Sequence, residues 1–369
     1  MRIGFNSSCH RGPHTPVCSH ILGGCQPRFY QKTSTRSIAL AAAVAIAMPT
    51  AVRAADYVFN PTIPPGGNVM DRTQYSNNAV PGSTSPDRLD IAGGFTGNFG
   101  SGTFANNLTL NTLYLGGDSD GPVGGDTVGV PNTAGDGTLN QSGGTITVNT
   151  WTVLGMNSSA NPIHAGVGTY NLTGGTYHEG VAYNTIVGQG GLGILNISNG
   201  AIATIDSALN IGFYGAGNTQ GRGVGNGTVT ISGATSILTV GQDVGSNHII
   251  NVGYEGTGTL NVQGDLVRMF ADLSVGTSSG GVGVVNQSGG TVRVGAGAYK
   301  WAQIGDSAGA TGTYNLSGGN FTVNGQLYVG HNGIGTFNQT NGAVVAVGQI
   351  FIGDGVGSSG VYTMSGGSM

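Results

Sequence analysis

Charge is the scarcest property of this sequence. Only 8% of its residues are Asp, Glu, Lys or Arg, and no acidic residue precedes Asp56. There are two glutamates, Glu179 and Glu255, and after residue 55 one lysine, Lys300. The three cysteines, Cys9, Cys18 and Cys25, all lie near the N-terminus. Each shortage excludes something. Without cysteine beyond residue 25 there is neither a disulfide framework nor a thiol nucleophile in the body of the chain. From Asp56 onward 6 basic residues face 16 acidic ones, a net charge of −10, which argues against nucleic acid or an anionic membrane as partner. So few charges also fail to match the composition of a disordered chain.

Glycine is abundant instead, at 72 of 369 residues. No Gly-X-Y period accompanies it, which excludes collagen and leaves short strands separated by glycine turns.

Residues 36–55, RSIALAAAVAIAMPTAVRAA, read as a secretory signal peptide. Arg36 supplies the positive start, Ile38 to Met48 an apolar run of 11 residues within a core at about 38–50, and Ala51 to Ala55 mostly small residues for cleavage. The run is too short to span a bilayer as a helix. Cys9, His10, His14, Cys18, His20 and Cys25 are zinc-ligand types, but they lie upstream of the cleavage site and would leave with the leader.

A unit then recurs nine times, beginning at Gly137, Gly168, Gly193, Gly227, Gly258, Gly283, Gly312, Gly335 and Gly360. Clear copies are GTYNLSGGNFTVNGQLYVG (312–330) and GTFNQTNGAVVAVGQIFIG (335–353), with a looser forerunner at 102–116. The third position is always apolar or aromatic. The fourth is Asn140, Asn171, Asn196, Asn261, Asn286, Asn315 or Asn338 in seven copies and Thr230 or Thr363 in the others. The seventh is glycine or asparagine, the residues that most readily adopt positive φ. Each complete copy closes with a strand alternating apolar, mixed, aliphatic before a glycine, so one face of that strand is expected to be buried and the other free. Asparagine forms strands poorly, and its fixed place implies a ladder of amides bonded from copy to copy. Copy spacings of 23–34 residues suit three short strands per coil and are too short for propeller blades.

The expected fold is all-β: a right-handed parallel β-helix (β-solenoid) of about nine coils, with the N-terminal leader outside it. The chain divides into a leader (1–55), an N-terminal cap or spacer (56–101) and solenoid repeats (102–369) whose last copy is cut short.

The segments GTLNQSGGTITV…WTVLG and GTYNLSGGNFTVNGQLYVG resemble the repeat shared by type V autotransporter passengers and PEP-CTERM exported proteins, over residues 137–369 and loosely from 102. The first resemblance implies a surface passenger, often adhesive, carried by a C-terminal outer-membrane β-barrel; the second implies a Pro-Glu-Pro sorting tail. The chain shows neither ending, and a C-terminal anchor is expected to be missing from it.

Candidate chemistry is sparse. Asp118, Asp120 and Asp126 in a glycine-rich stretch are oxygen ligands that could suit calcium. Tyr177, His178 and Glu179 form the densest polar cluster, read as solvated because adjacent strand residues point to opposite faces. Tyr114, Tyr328 and Phe351 share the mixed position of the closing strand, where aromatics could face a ligand. Trp151 and Trp301, four before the closing glycine, are expected to cover a corner. Loops 156–167 and 213–226 vary most and could form a binding edge. No catalytic residue and no cofactor is expected, and no transmembrane helix in the mature chain. The reading is an exported, non-enzymatic structural or adhesive protein of the cell surface, outer membrane or extracellular space, with host or matrix glycans or proteins as partners. The alternative is a secreted polysaccharide-processing β-helix enzyme, a lyase or glycoside hydrolase, which would need converging carboxylates.

Overall fold

Short apolar alternations punctuated by glycine build a coil of three strands. A computed structural model describes residues 55–58, 67–68, 87–91, 95–100, 107–117, 135–157, 166–216, 223–242, 248–264, 266–346 and 348–369. Residues 36–54 of the signal segment and the aspartates 118, 120 and 126 lie outside them. The described chain is a parallel β-solenoid. A coil has a first, a middle and a closing strand, as in Thr311–Leu316, Asn320–Val323 and Leu327–Val329. The next coil repeats the pattern over Ile334–Gln339, Ala343–Ala346 and Ile350–Ile352. Equivalent residues lie opposite one another: Gly312 faces Gly335, Asn315 faces Asn338, Phe321 faces Val344 and Val329 faces Ile352. Among the described residues every strand pairs in parallel, and the sole antiparallel contact is the isolated bridge Met156–Gly190. An array of hairpins is thereby excluded.

The stack begins further upstream than the repeats suggest. Among the described residues the closing strands form a sheet of eleven. Three of these, Ala55–Val58, Asp87–Ile91 and Thr112–Leu115, precede the copy at Gly137. The first strand of the preceding coil is Phe95–Phe99, with Asn98 opposite Asn140, rather than a strand starting at Gly102. Residues 56–101, expected as a cap or spacer, therefore contribute strands to the same sheets. Gly97 occupies the position that is apolar in later copies, which hides this coil from an alignment.

Along the first strand burial alternates, as in Leu192–Ile197 and Thr311–Leu316. The third-position residues from Leu139 to Phe337 are at most 1% exposed. Each such side chain contributes about 1.5–3 kcal/mol by burial, and most of that surface is buried against adjacent coils. The Asn row faces outward and is half-buried. Its amides bond in sequence: Asn140 Nδ2 to Asn98 Oδ1 (3.0 Å), Asn171 to Asn140 (2.9 Å), Asn196 to Asn171 (2.9 Å), then Asn286 to Asn261 (3.0 Å), Asn315 to Asn286 (2.9 Å) and Asn338 to Asn315 (3.0 Å). Thr230 interrupts the row, leaving a 3.4 Å contact from Asn261.

Two glycine corners differ in cause. After the first strand the positive φ falls on the eighth position in most copies: Gly144, Gly175, Gly290, Gly319, Gly342 and Gly367. It falls on the expected seventh at Gly233 and Gly264, where the next residue is not glycine, and on both Asn199 and Gly200 in one copy. The left-handed residue moves to wherever the missing Cβ permits it. The corner between coils is set by space. A methyl at Gly335 would lie 2.1 Å from Gly330 N and 2.2 Å from Ile304 O, and one at Gly312 would lie 2.1 Å from Val275 O.

A buried polar pair recurs between coils. Gln141, Gln287 and Gln339 occupy the inward fifth position, at most 1% exposed. In each case the next coil carries a tyrosine at its third position whose hydroxyl donates to the glutamine Oε1: Tyr170 to Gln141, Tyr314 to Gln287 (2.6 Å) and Tyr362 to Gln339 (2.6 Å). The glutamine Nε2 reaches backbone carbonyls at the corner and in the next coil, as from Gln287 to Asn320 O (3.0 Å). No other copy has tyrosine at its third position. Both partners are thus satisfied in an apolar interior, as buried polar groups must be.

Two predictions follow from these contacts. Gly335→Ala is expected to destabilise by about 3 kcal/mol through overpacking, against about 1 kcal/mol for Asn315→Ala, whose partners can reach water. Chemical denaturation compares them, and equal losses would contradict the corner argument. In a double-mutant cycle, Gln287→Leu and Tyr314→Phe are expected to be non-additive by about 1–2 kcal/mol; simple additivity would dissociate the pair.

Candidate functional site

The three rows of strands present unlike outer faces. On the first-strand face the outward rows carry mostly Thr, Asn and Ser side chains, as in Thr313, Asn315 and Ser317, with Ile194, Val284 and Val361 as apolar interruptions and no charge in the copies from Gly137 to Gly360. The middle-strand face carries charged groups: His178 Nε2 lies 2.7 Å from Asp206 Oδ2, and Arg268 sits opposite Arg293.

The closing-strand face is not free as expected. Its outward residues Val153, Ile186, Asn210, Asn251, Ser274 and Tyr328 are buried, and Tyr114, Gln303 and Phe351 are half-buried. The cause is the residue after each closing glycine, which continues the stack. The Thr277 amide donates to Gly253 O (3.0 Å), that of Asp306 to Gly276 O (2.9 Å), that of His331 to Gly305 O (3.0 Å) and that of Asp354 to Gly330 O (3.0 Å). Side chains then bond back over the strand. Asn251 Nδ2 donates to Asn210 Oδ1 (2.8 Å), Thr277 to Asn251 Oδ1 (3.1 Å) and Ser274 to Asp306 Oδ2 (3.0 Å), while Asp306 Oδ1 meets His331 Nδ1 at 3.0 Å.

At the C-terminal end of this face an aromatic group stands proud. Tyr328 points outward but is only 8% exposed. The Trp301 ring meets it edge-on at 5.9 Å, the Phe351 ring stacks on it at 5.0 Å and 11°, and His331 lies 4.6 Å away. Its hydroxyl donates to Gln326 Oε1. Burial first, and then the Asp354 carboxylate, hold the Tyr328 phenol above its usual pKa. The accessible rings are Trp301, at 40%, and Tyr299, at 59%. Tyr328 therefore supports the cluster, and Trp301, expected merely to cover a corner, forms part of its open surface. Tyr114 shares the row and is half-buried, but six strands of the sheet separate it from Tyr328. The structure brings Tyr328 and Phe351 together and leaves Tyr114 apart. Trp151 takes part in a similar pair, stacked on Tyr183 at 4.8 Å, and Phe213 stacks on Tyr254 at 5.1 Å.

The Tyr177-His178-Glu179 cluster divides across the sheet. His178 faces out, whereas Tyr177 and Glu179, read as solvated, point into the solenoid and are at most 1% exposed. The Tyr177 hydroxyl donates to Thr152 Oγ1 (2.7 Å), and Ser207 Oγ donates to Glu179 Oε2 (2.6 Å). Glu179 Oε1 makes no hydrogen bond among the described residues. Burial pushes the Glu179 carboxyl up to about 9, offset in part by the Ser207 hydroxyl. The acid is thus neutral at pH 7. Enclosed within the coil, it has no route to a substrate. Among the described residues no three His, Cys, Asp or Glu side chains gather where they could hold a metal ion.

Comparison with known proteins adds one partial relative. Over 111 residues, 30% of this chain, the sequence is 38% identical to the uncharacterized lipoprotein YdeK of Escherichia coli (strain K12). The match spans 8% of that protein's length. No family model matches the chain, and no solved structure does.

Glu179 yields a signed pH prediction. Its folded pKa lies above its unfolded one, so its contribution to stability is full below about pH 4.5 and is lost as pH rises towards about 9, at roughly 1.4 kcal/mol per unit. Glu179→Gln should flatten that slope and stabilise the protein at pH 8. Denaturation midpoints at pH 5 and pH 8 check this, and an unchanged slope in the variant would show that Glu179 is not its source.

Proposed function

We propose that the chain is an exported, non-enzymatic scaffold, a structural or adhesive surface protein built as a passenger-like β-solenoid. One observation carries this reading: among the described residues, four carboxylates bond to neighbouring coils rather than converge on one site. Glu179 is bonded to Ser207, Asp206 meets His178, Asp272 receives the Trp301 amide, and Asp306 receives Ser274. These carboxylates belong to different coils and do not supply the facing acid pair that glycoside hydrolysis uses. The outer surface instead offers long polar rows and a few aromatic groups.

Three features support export. The leader has the pattern of a signal peptide, the repeat resembles autotransporter passengers and PEP-CTERM proteins, and the partial relative YdeK is named a lipoprotein. A C-terminal anchor carried by a longer protein fits this reading, as does placement at the cell surface, at the outer membrane or outside the cell.

Expression of the full chain with an epitope tag in a Gram-negative host is expected to give a product shortened near residue 55 and found outside the cytoplasm. Deletion of residues 36–55 is expected to retain it inside. An uncleaved cytoplasmic product from the intact chain would overturn the export reading. Release of reducing ends or unsaturated fragments from polysaccharides would overturn the non-enzymatic one in favour of a lyase or hydrolase.

A further inference from the structure

We propose that the aromatic shelf formed by Tyr299, Trp301 and Phe351, underlain by Tyr328, binds an uncharged saccharide chain. The proposal rests on the surface reading above for its biological setting, and names the ligand class of that surface.

The shelf is built and held. Tyr299 and Trp301 lie in the loop between the middle strand Thr291–Val294 and the closing strand Ala302–Ile304. One carboxylate clamps that loop: Asp272 Oδ1 accepts the Trp301 amide (2.6 Å), and its Oδ2 lies 3.7 Å from Lys300 Nζ. Asn324 of the next coil donates to Ala298 O (3.0 Å). Tyr299 extends along the corner until its hydroxyl lies over Gly348, where a methyl would stand 3.0 Å from it. Trp301, Tyr328 and Phe351 belong to three successive coils, and the last two rings lie within 11° of parallel.

The chemistry selects the ligand. Large rings left 40% and 59% exposed on a rigid support favour the C–H face of a sugar, which is apolar but carries hydroxyls at its edge. At the rim, Asp306, His331 and Gln303 are bonded to one another, and the exposed Asp354, after the closing glycine of the Phe351 strand, is placed to accept from such hydroxyls. The charge of the rim is selective as well. Lys300, beside Trp301, is paired with Asp272, while the exposed Asp354 sets a negative charge close by. Uronates and sulfated sugars are disfavoured on that ground, and neutral hexose polymers are favoured.

The test uses the purified full chain in affinity gel electrophoresis, with dextran, mixed-linkage β-glucan, hydroxyethylcellulose and polygalacturonate in separate gels. Retardation by at least one neutral polymer, and none by polygalacturonate, is expected. Trp301→Ala should weaken that retardation at least tenfold, and Phe351→Ala should weaken it several-fold. Trp151→Phe should retain it and make the fluorescence change on binding report Trp301 alone. Should Trp301→Ala alter the circular dichroism spectrum or melting temperature, Tyr299→Ala, at the most exposed ring, replaces it with the same expectation. Equal retardation of the ring variants, preference for polygalacturonate, or no retardation by any neutral polymer would overturn the shelf. The two proposals fail separately: a cytoplasmic product that still binds glucan refutes the surface reading alone, and a surface-displayed product that binds none refutes the shelf alone.

Discussion

The fold depends on the contact between backbones where one coil passes into the next. From Gly137 to Gly360 the opening glycine of each coil lies against the amide of the closing glycine before it and against a carbonyl one coil back, at distances that exclude even a methyl group. That contact brings the first and closing strands together at a narrow corner. It sets the register of all three rows of strands at once, because a displaced coil would place a side chain where none fits. The parallel pairing, the amide ladder and the stacked core rings follow from that register.

Polar groups inside the solenoid refine this arrangement. An apolar interior tolerates exchange of one hydrophobic coil for another, since Leu, Val, Ile and Phe all occupy the same inward row. A buried glutamine does not, because its amide and the tyrosine hydroxyl of the next coil must be satisfied together. The pairs Gln141–Tyr170, Gln287–Tyr314 and Gln339–Tyr362 therefore make neighbouring coils specific to each other. Glu179 is a different case, an acid kept neutral by burial among Tyr177, Thr185 and Ser207, and it makes stability depend on pH.

Departures from the repeat are where the surface becomes distinctive. The loop carrying Tyr299 and Trp301 interrupts an otherwise short connection and places rings beside Tyr328 and Phe351. The outward position of Tyr328 and Phe351 was legible from alternation alone. The covering of Tyr328, and with it the exposure of Trp301, was not, because it depends on rings from neighbouring coils and on the Asp272 clamp. The glutamine–tyrosine correspondence was present in the sequence, as an amide in one copy followed by tyrosine in the next, but its meaning needs the inward direction of both side chains.

By itself the sequence determined the parallel coil, its inward rows, the amide ladder and the position of most corners, since these depend on local alternation and on in-register repetition. Tertiary structure alone decided that the stack reaches back to Ala55, that most of the outer face of the closing strands is covered, and that Glu179 is enclosed. The reason is common to all three: each depends on atoms from another coil or loop, and the pattern within one repeat contains no information about what packs against it.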